Sequence, residues 1–331
     1  MPVVGSKRTM RRRGFIAAVG ALALVWSRVG RAQDYPRKPI RIILPYTAGS
    51  PNDVIARFIA PHLSARLGQP FTIENRAGGG TFIGARAVMT AEPDGYTLLF
   101  SNTPTHVVAA LGHSSFTYNP LNDFAPIAMV GSSALVMVIA PAVPARTVEE
   151  LVTYAKANPG KLSFGFGQGT LPHLVGELFK AVTATEIVSV PYRGGAQAVT
   201  DMLGGRIDMN FGSGSTLVPL IREGRLRALA VTSPTRSPDQ PQVPTMIEAG
   251  LPAMTVVTRY GILGPAATPA EIVVRLNGAV DECLRSADLA AHMARIGFAA
   301  LGGSPVDFAA SIASDQRKWA PIVKATGFQL E

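Results

Sequence analysis

The sequence predicts an α/β protein of two lobes, each a mixed sheet flanked by helices. Short apolar runs alternate with turns and amphipathic helices, which is typical of such sheets. The first three strand-and-turn pairs are residues 40–44 with 47–52, 71–74 with 78–80, and 96–100 with 101–105. A second series of strands and helices begins near residue 133. The length of 331 residues suits one large domain or two medium ones.

The first helix is predicted directly after the turn at residues 47–52. Its apolar residues recur at spacings of three and four, which gives one apolar stripe along a helix. These residues are Val54, Ile55, Phe58, Ile59 and Leu63. The stripe follows a polar cluster that contains Asn52 and Asp53, and we expect one of these two to cap the helix.

The second series opens with residues 134–140, a continuous apolar run suited to a buried strand. Thr147 and Glu150, three residues apart, match a capping box at a helix start. Further strands are predicted at residues 161–164, 187–190, 207–211 and 226–231, and helices at 173–182, 196–203 and 217–223.

Residues 232–252 are rich in Pro, Ser and Thr and form a predicted connection. A strand at 255–263 and amphipathic helices at 269–285 and 306–324 follow it. This order predicts that the chain leaves lobe 1 near Ser132 and returns near Met254. Lobe 1 then comprises residues 33–132 and 254–331, and lobe 2 comprises residues 133–253.

The net charge of +9 is concentrated at the start of the chain. The first 32 residues hold no acid and seven cations, Lys7, Arg8, Arg11, Arg12, Arg13, Arg28 and Arg31. Subtracting these seven from +9 leaves +2 for the remainder. Because the remainder contains no basic run interleaved with aromatics, we expect no nucleic-acid binding.

The basic start is predicted to be a secretory signal peptide of residues 1–32. A basic segment precedes an apolar stretch at residues 15–26, and the small residues Gly30 and Ala32 lie at cleavage spacing. We expect cleavage after Ala32 and a periplasmic mature protein. The alternative is a retained membrane anchor, although the apolar stretch is short for a bilayer span. Residues 12–16 resemble a twin-arginine export motif, so the export route stays open.

Catalytic and metal-binding patterns are weak in this chain. The five histidines are scattered without a nearby cysteine or carboxylate pattern, so we expect no metal or cofactor. No G-x-S-x-G elbow occurs. Residues 165–169 lack the lysine of a phosphate-binding loop. The lone Cys283 allows no intrachain disulfide.

Four turns rich in Gly, Ser and Thr follow predicted strands and are the candidates for a binding site. They are residues 46–53, 101–106, 165–173 and 192–195, two in each predicted lobe. Such turns present backbone N–H groups and positive helix ends, which suit an anion without a lysine or arginine. Because ligands gather at the carboxyl ends of strands in open α/β sheets, these turns predict an anion site between the lobes.

Five stretches in and around these turns resemble the tripartite tricarboxylate transporter substrate-binding proteins, the Bug or TctC-like family. They are residues 35–41 (YPRKPIR), 74–80 (ENRAGGG), 93–98 (PDGYTL), 190–195 (VPYRGG) and 226–232 (LRALAVT). Their order and spacing cover nearly all of the predicted mature chain. The resemblance implies a two-lobed periplasmic binding protein fold, type II-like, with the ligand cleft between the lobes. It also implies a carboxylate ligand that is passed to a two-subunit membrane permease.

The resemblance carries family contacts onto matching positions of this chain. Lobe 1 would contribute Tyr46, Thr47, Ala48, Ser50, Asn52, Asp53, Ser101 and Asn102. Lobe 2 would contribute Gly167, Gln168, Thr170, His173, Tyr192 and Gly194. Three function classes stay open: a transport binding protein, which we expect to act as a monomer without catalysis; a ligand-presenting sensor subunit; and a periplasmic enzyme.

This chain departs from the family pattern in both lobes. The usual Gly-Gly-x-x-Asp of the first turn is replaced by residues 49–53 (GSPND). Phe166, Leu171 and Pro172 stand where relatives commonly carry small or hydroxylated residues. These changes predict a less polar cavity that favours an aromatic or aliphatic carboxylate over citrate. The alternative is that these side chains face the core.

Overall fold

A computed structural model describes residues 35–326, apart from 109–110, 112–117, 169, 193 and 239. The predicted signal peptide and its cleavage point lie outside these residues. The strands are β1 Ile40–Leu44, β2 Phe71–Asn75, β3 Thr97–Asn102, β4 Phe124–Ile139, β5 Ser163–Gly167, β6 Val188–Tyr192, β7 Met209–Ser213, β8 Arg227–Val231, β9 Val257–Pro265 and β10 Phe298–Ala300.

The α-helices surround these strands. They are α1 Pro51–Leu67, α2 Phe82–Met89, α3 Val148–Ala157, α4 Leu171–Thr183, α5 Gly195–Leu203, α6 Gly214–Arg222, α7 Ala270–Leu284, α8 Ala287–Arg295 and α9 Pro305–Thr326. Short 3-10 turns span Gly79–Thr81 and Pro252–Met254, and a π-helical turn spans Pro104–Val108. The predicted strands and helices are confirmed within a few residues. The sequence analysis missed α2, α8 and β10.

The start of α1 differs from the prediction. Ser50, in extended conformation, is the N-cap, and its Oγ accepts a hydrogen bond from the Asp53 N–H at 3.3 Å. Pro51 occupies the first helical position, where its fixed φ fits and its missing N–H costs nothing. The predicted caps, Asn52 and Asp53, are therefore wrong because both already lie in the first turn. In contrast, the predicted cap at Thr147 is confirmed by its bond from the Glu150 N–H.

Two sheets share the long strand β4. The strand order is β2-β1-β3-β9-β4-β7-β5-β6, with β10 and β8 also pairing with β4. The first part of β4, up to Ala134, pairs with β9 and β10, whereas Leu135–Ile139 pairs with β7 and β8. The chain therefore passes from one sheet to the other inside a single strand. The predicted lobe limits stay a prediction, which this change of sheet supports.

The return crossing is held by the C-terminal helix α9. Its Asp315 accepts a hydrogen bond from Arg259 of β9 at 2.6 Å, and its Lys318 donates to the Thr255 carbonyl. Trp319 of α9 is buried in the same hydrophobic cluster as Phe179 of α4. Helix α9 thus packs on lobe 1 strands and on a lobe 2 helix, and it fixes the segment that joins them.

Candidate functional site

A cavity of about 600 Å³ lies between the two lobes. On the side of the lobe 1 sheet, to which β4 belongs up to Ala134, its wall consists of Tyr46, Pro51, Asn52, Gly78, Gly80, Thr81, Asn102, Pro104, Ser133, Thr258 and Tyr260. On the lobe 2 side it consists of Leu135, Gly167, Gln168, Thr170, Leu171, Pro172, Gly195, Ala196, Val199, Asn210, Phe211, Gly212, Ser213, Thr216 and Leu217. Among the described residues, this wall contains no charged side chain.

Helix N-termini compensate for the absence of cations in the described wall. The first turns of α1, α4, α5 and α6 reach the cavity through Asn52, Leu171, Ala196 and Thr216. The N-terminus of a helix carries a partial positive charge and free backbone N–H groups. The cavity is therefore suited to a small anion that is held by dipoles and hydrogen bonds.

A chain of side-chain amides fixes the polarity of the lobe 1 wall. The Thr105 N–H can only donate, and it lies 3.1 Å from one terminal atom of Asn102, which must therefore be Oδ1. Tyr46 donates its hydroxyl to the same Oδ1 at 2.7 Å. The Asn102 Nδ2 consequently points to Asn52 and donates to Asn52 Oδ1 at 3.1 Å.

This series of hydrogen bonds ends at the cavity with a hydrogen-bond donor. Because Asn52 Oδ1 accepts from Asn102, the Nδ2 group of Asn52 is oriented away from Asn102. Among the described residues it has no hydrogen-bond partner, and Asn52 lines the cavity while being only 4% exposed. An amide donor that lies at the cavity without a protein partner favours a ligand oxygen opposite it.

The neighbouring turn at Gly78–Thr81 forms another part of the lobe 1 wall. Gly78, Gly79 and Gly80 all have positive φ, and Thr81 follows with φ of 84°. A β-branched residue rarely adopts this conformation, and such strain is typical of ligand-binding sites. The turn belongs to the sequence stretch 74–80, whose Asn75 also donates to the Tyr46 carbonyl at 3.0 Å. These contacts hold the two lobe 1 turns together.

Lobe 2 presents hydrogen-bonding groups together with a few apolar side chains. The Asn210 Nδ2 donates to the Gly165 carbonyl at 2.6 Å, which leaves Asn210 Oδ1 as an acceptor at the wall. Val199 is partly exposed at the wall, whereas Leu135 and Leu217 are 5% and 0% exposed and contribute little surface. Lobe 2 also contributes Gln168, Thr170, Ser213 and Thr216 to the wall, so hydrogen-bonding groups lie on both sides of the cavity.

Six of the predicted contact residues line the cavity. They are Tyr46, Asn52, Asn102, Gly167, Gln168 and Thr170. The structure brings together residues from all four predicted turns, with Gly195 from the fourth, and adds Ala196 next to it. Of the three departures from the family pattern in lobe 2, Leu171 and Pro172 also line the cavity, whereas Phe166 is buried and stacks on Phe164 in the core.

The other predicted lobe 1 contacts lie outside the cavity wall. Ser50 caps α1, and Ser101 is fully buried against His106. The Asp53 carboxylate accepts hydrogen bonds from the Gly49 N–H, Arg57 and Asn75, and together these donors hold its pKa below the usual range despite burial. Asp53 therefore stabilises the first turn internally. Thr47 and Ala48 are exposed on the same turn.

The remaining lobe 2 contacts of the prediction also lie beside the cavity. His173 stacks on Phe166 with ring centroids 4.0 Å apart, and burial lowers the pKa of its imidazole. Tyr192 donates its hydroxyl to Asp201 at 2.8 Å. Gly194 precedes the first residue of α5. Direct ligand contact by these three residues stays a prediction.

Sequence reasoning missed several wall residues. The turn between β7 and α6, residues 211–216 (FGSGST), has the same Gly/Ser/Thr composition after a strand as the four predicted turns, so its signal was present in the sequence. Ser133, Thr258 and Tyr260 lie on the paired strands β4 and β9, where only the tertiary structure brings them to the cavity. The Tyr260 hydroxyl is 3.2 Å from Ser133 Oγ.

His106, beside the lobe 1 wall, is expected to make the fold sensitive to acid. Burial, assisted by the positive charge of Arg259, lowers its pKa to about 3. An unfolded histidine takes up a proton below pH 6.5 or so, while the folded one stays neutral down to about pH 3, so stability falls as the pH drops through this window. At pH 5 this group alone should remove about 2 kcal/mol.

Urea unfolding at pH 7.5 and pH 5 checks this expectation. His106→Asn should reduce the loss of stability between the two pH values by about 2 kcal/mol. His292→Asn, the same substitution at the partly exposed helix α8, is the matched control and should retain the full loss. An unchanged pH dependence in the His106 variant would contradict the prediction.

Two α/β sheets with a cavity between them, whose described wall carries no charged side chain, are typical of a solute-binding protein. The family model for the tripartite tricarboxylate transporter family receptor, TctC, matches residues 55–328. The chain belongs to this family of periplasmic binding proteins. The resemblance and the fold predicted from the sequence are thereby confirmed.

Individual relatives extend across nearly the whole chain. BugT of Bordetella pertussis is 36% identical over 319 residues, which cover 96% of each protein. The adipate-bound R. palustris protein Rpa4515 is 32% identical with a TM-score of 0.78, over 89% of this chain and 99% of that one. MatC from Rhodopseudomonas palustris, with bound malate, is 28% identical with a TM-score of 0.75, over 87% of this chain and 100% of the other.

Two absences hold for the part of the chain that the structure describes. None of its helices combines the length and apolar character that a bilayer span requires. None of its His, Cys, Asp and Glu side chains assemble in a group of three or more that could hold a metal ion.

Proposed function

We propose that this protein captures a small organic carboxylate between its lobes in the periplasm and delivers it to a tripartite tricarboxylate-type permease. The observation that carries the proposal is the Asn52 Nδ2 donor at the end of the Thr105–Asn102–Asn52 series of hydrogen bonds. Among the described residues it has no partner and the wall around it has no charged side chain. Carboxylate oxygens are strong acceptors, so this donor and the nearby helix N-termini match them.

Two further observations support binding of a carboxylate without catalysis. The structures of Rpa4515 and MatC hold adipate and malate, which are both carboxylates. The wall also lacks the histidine or acidic groups that hydrolysis would require, among the residues described. We therefore propose binding without turnover, by a monomer whose signal peptide is cleaved near Ala32.

A thermal-shift screen of the purified protein tests the ligand class. A carboxylate at a concentration of about 100 times its Kd should stabilise the fold by about 2.7 kcal/mol, which corresponds to roughly 5 °C in Tm. The primary amide of each acid is the matched control, because it retains the shape and loses the charge. Equal shifts by acids and amides, or no shift with any acid, would refute the carboxylate proposal.

Uptake of the labelled acid tests delivery. Cells that contain the permease should accumulate the acid only when this protein is present in their periplasm. Uptake at the same rate without the protein would refute a transport role and would favour the alternative function, a ligand-presenting sensor subunit.

A further inference from the structure

We infer that Asn210 and Thr170 of lobe 2 select an acid that carries a hydroxyl group. This inference rests on the proposed function and adds the chemical class of the acid, a hydroxycarboxylate. Both residues line the cavity, and each has its own donor bound to a backbone carbonyl of the protein. Each therefore presents an acceptor to the ligand, with which a hydroxyl hydrogen can pair and a carboxylate oxygen cannot.

The amide orientation of Asn210 is fixed by the neighbouring strand β5. A backbone carbonyl can only accept, and the Gly165 carbonyl lies 2.6 Å from one terminal atom of Asn210, which must therefore be Nδ2. The other terminal atom is Oδ1, to which no donor among the described residues is bonded. Asn210 is only 2% exposed, but a hydrogen bond requires access to this one oxygen alone. An amide acceptor that lies at the cavity without a protein partner favours a donor on the ligand.

Gly212, two residues further along β7, keeps this oxygen uncovered. Residues two apart on a strand point to the same face of the sheet. A Cβ placed on Gly212 would lie 3.0 Å from Asn210 Oδ1, and Gly212 itself lines the cavity. A side chain at this position would cover the acceptor, so the glycine leaves room there for a ligand atom.

Thr170 offers a second acceptor at the start of α4. It occupies the N-cap position, but its side chain does not cap the helix, because Oγ1 donates to the Gly167 carbonyl at 2.7 Å. The single hydroxyl hydrogen is thereby used, and the lone pairs of Oγ1 remain. Since Thr170 is partly exposed and lines the cavity, a ligand donor can reach this oxygen.

A hydroxyl group suits the lobe 2 half of the cavity because this half contains both donors and acceptors. The first turns of α5 and α6 offer backbone N–H groups in the same wall as the two side-chain acceptors. A hydroxyl both accepts and donates, whereas a carboxylate or keto oxygen only accepts. The hydroxyl of the acid would therefore bind in lobe 2, while its carboxylate binds the Asn52 amide.

Calorimetric titration of the purified mature protein with three sets of acids tests the inference. Each set contains a hydroxy acid, its keto acid and the acid without this oxygen: lactate, pyruvate and propionate; 3-hydroxybutyrate, acetoacetate and butyrate; malate, oxaloacetate and succinate. In the set that binds most tightly, we expect the hydroxy acid to bind about tenfold more tightly than the other two. The keto acid is the matched control, because it retains an oxygen at the same carbon and loses the donor.

Thr170→Val removes the Oγ1 acceptor and keeps the shape of the side chain. The Gly167 carbonyl still accepts from the backbone N–H of the same residue, at 3.3 Å. The variant should lower the preference for the hydroxy acid over the keto acid about threefold and leave the affinity for the keto acid unchanged. Thr200→Val is the matched control, since the exposed Thr200 of α5 also donates to a backbone carbonyl, and it should keep the full preference.

Asn210→Leu removes the Oδ1 acceptor and keeps a side chain of similar size. It should also lower the preference for the hydroxy acid about threefold. Asn158→Leu is the matched control, because the Asn158 Nδ2 also donates to a backbone carbonyl in lobe 2, that of Tyr154, at a place outside the cavity wall. Thermal unfolding verifies that the variants are folded. If Asn210→Leu does not fold, Thr170→Val decides the assignment.

The outcomes separate this inference from the proposed function. Equal affinity for the hydroxy acid and the keto acid in every set would overturn the inference while the carboxylate proposal stands. A full preference for the hydroxy acid in each folded variant would overturn the assignment to Asn210 and Thr170. Failure of all these acids to bind would overturn both the inference and the proposed function. A preference for the hydroxy acid that these variants reduce and their controls retain would support the inference.

Discussion

Replacement of Asn52 by aspartate is expected to weaken carboxylate binding at least 100-fold. The substitution removes the Nδ2 donor that faces the cavity and puts an anionic oxygen in its place. Because no cation lies in the described wall, the new charge would repel the ligand without compensation. Calorimetry with the best acid from the screen measures the loss.

The fold of this variant should be preserved, because the Asn102 Nδ2 can donate to the new carboxylate as it donates to Asn52 Oδ1. Asn122→Asp, the same substitution in the exposed loop before β4, is the matched control and should bind like the wild type. A folded Asn52→Asp variant with wild-type affinity would show that the carboxylate lies elsewhere in the cavity.

Replacement of Gly176 by alanine is expected to lower the stability of lobe 2 by about 2 kcal/mol, or roughly 5 °C in Tm. Helix propensity alone predicts the opposite sign, because alanine is favoured over glycine inside a helix by about 1 kcal/mol. However, a Cβ at Gly176 would overlap the ring of Phe164, which is fully buried and stacked on Phe166. The destabilisation caused by this overlap should exceed the stabilisation from the higher helix propensity of alanine.

Gly278→Ala supplies the matched control for this prediction. Gly278 also lies inside a helix, α7, but its Cβ would meet no atom within 4 Å. This variant should be more stable than the wild type by about 0.5–1 kcal/mol. Differential scanning calorimetry of the two variants should therefore show shifts of opposite sign, and shifts of the same sign would contradict the role of Phe164.

Features set by short-range periodicity were predicted well. The apolar stripe of α1 and the apolar run in β4 depend on neighbours in sequence, and both elements are present. The N-cap of α1 was not predicted correctly. Ser50, Asn52 and Asp53 are all residue types that cap helices well, and the position of Pro51 decides which of them starts the helix. Helix α2 follows a turn of three glycines, whose composition indicates a loop rather than a helix start.

The candidate site was predicted in its location more than in its chemistry. The turns that follow strands were visible in the sequence, and all four predicted turns contribute residues to the cavity wall. The donor role of Asn52 was not visible, because it depends on Asn102, fifty residues away, and on the Thr105 N–H that orients Asn102. The internal role of Asp53 depends in the same way on Arg57 and Asn75.

The position of β4 has a mechanical consequence for ligand binding. The strand changes from one sheet to the other between Ala134 and Leu135, and its residues Ser133 and Leu135 both line the cavity. A bend between the lobes that occurs at this point has its pivot in the wall of the cavity. Contacts near a pivot move little while those at the rim travel far. The contacts between the ligand and β4 should therefore persist while the lobes open, and the contacts farthest from β4 should break first.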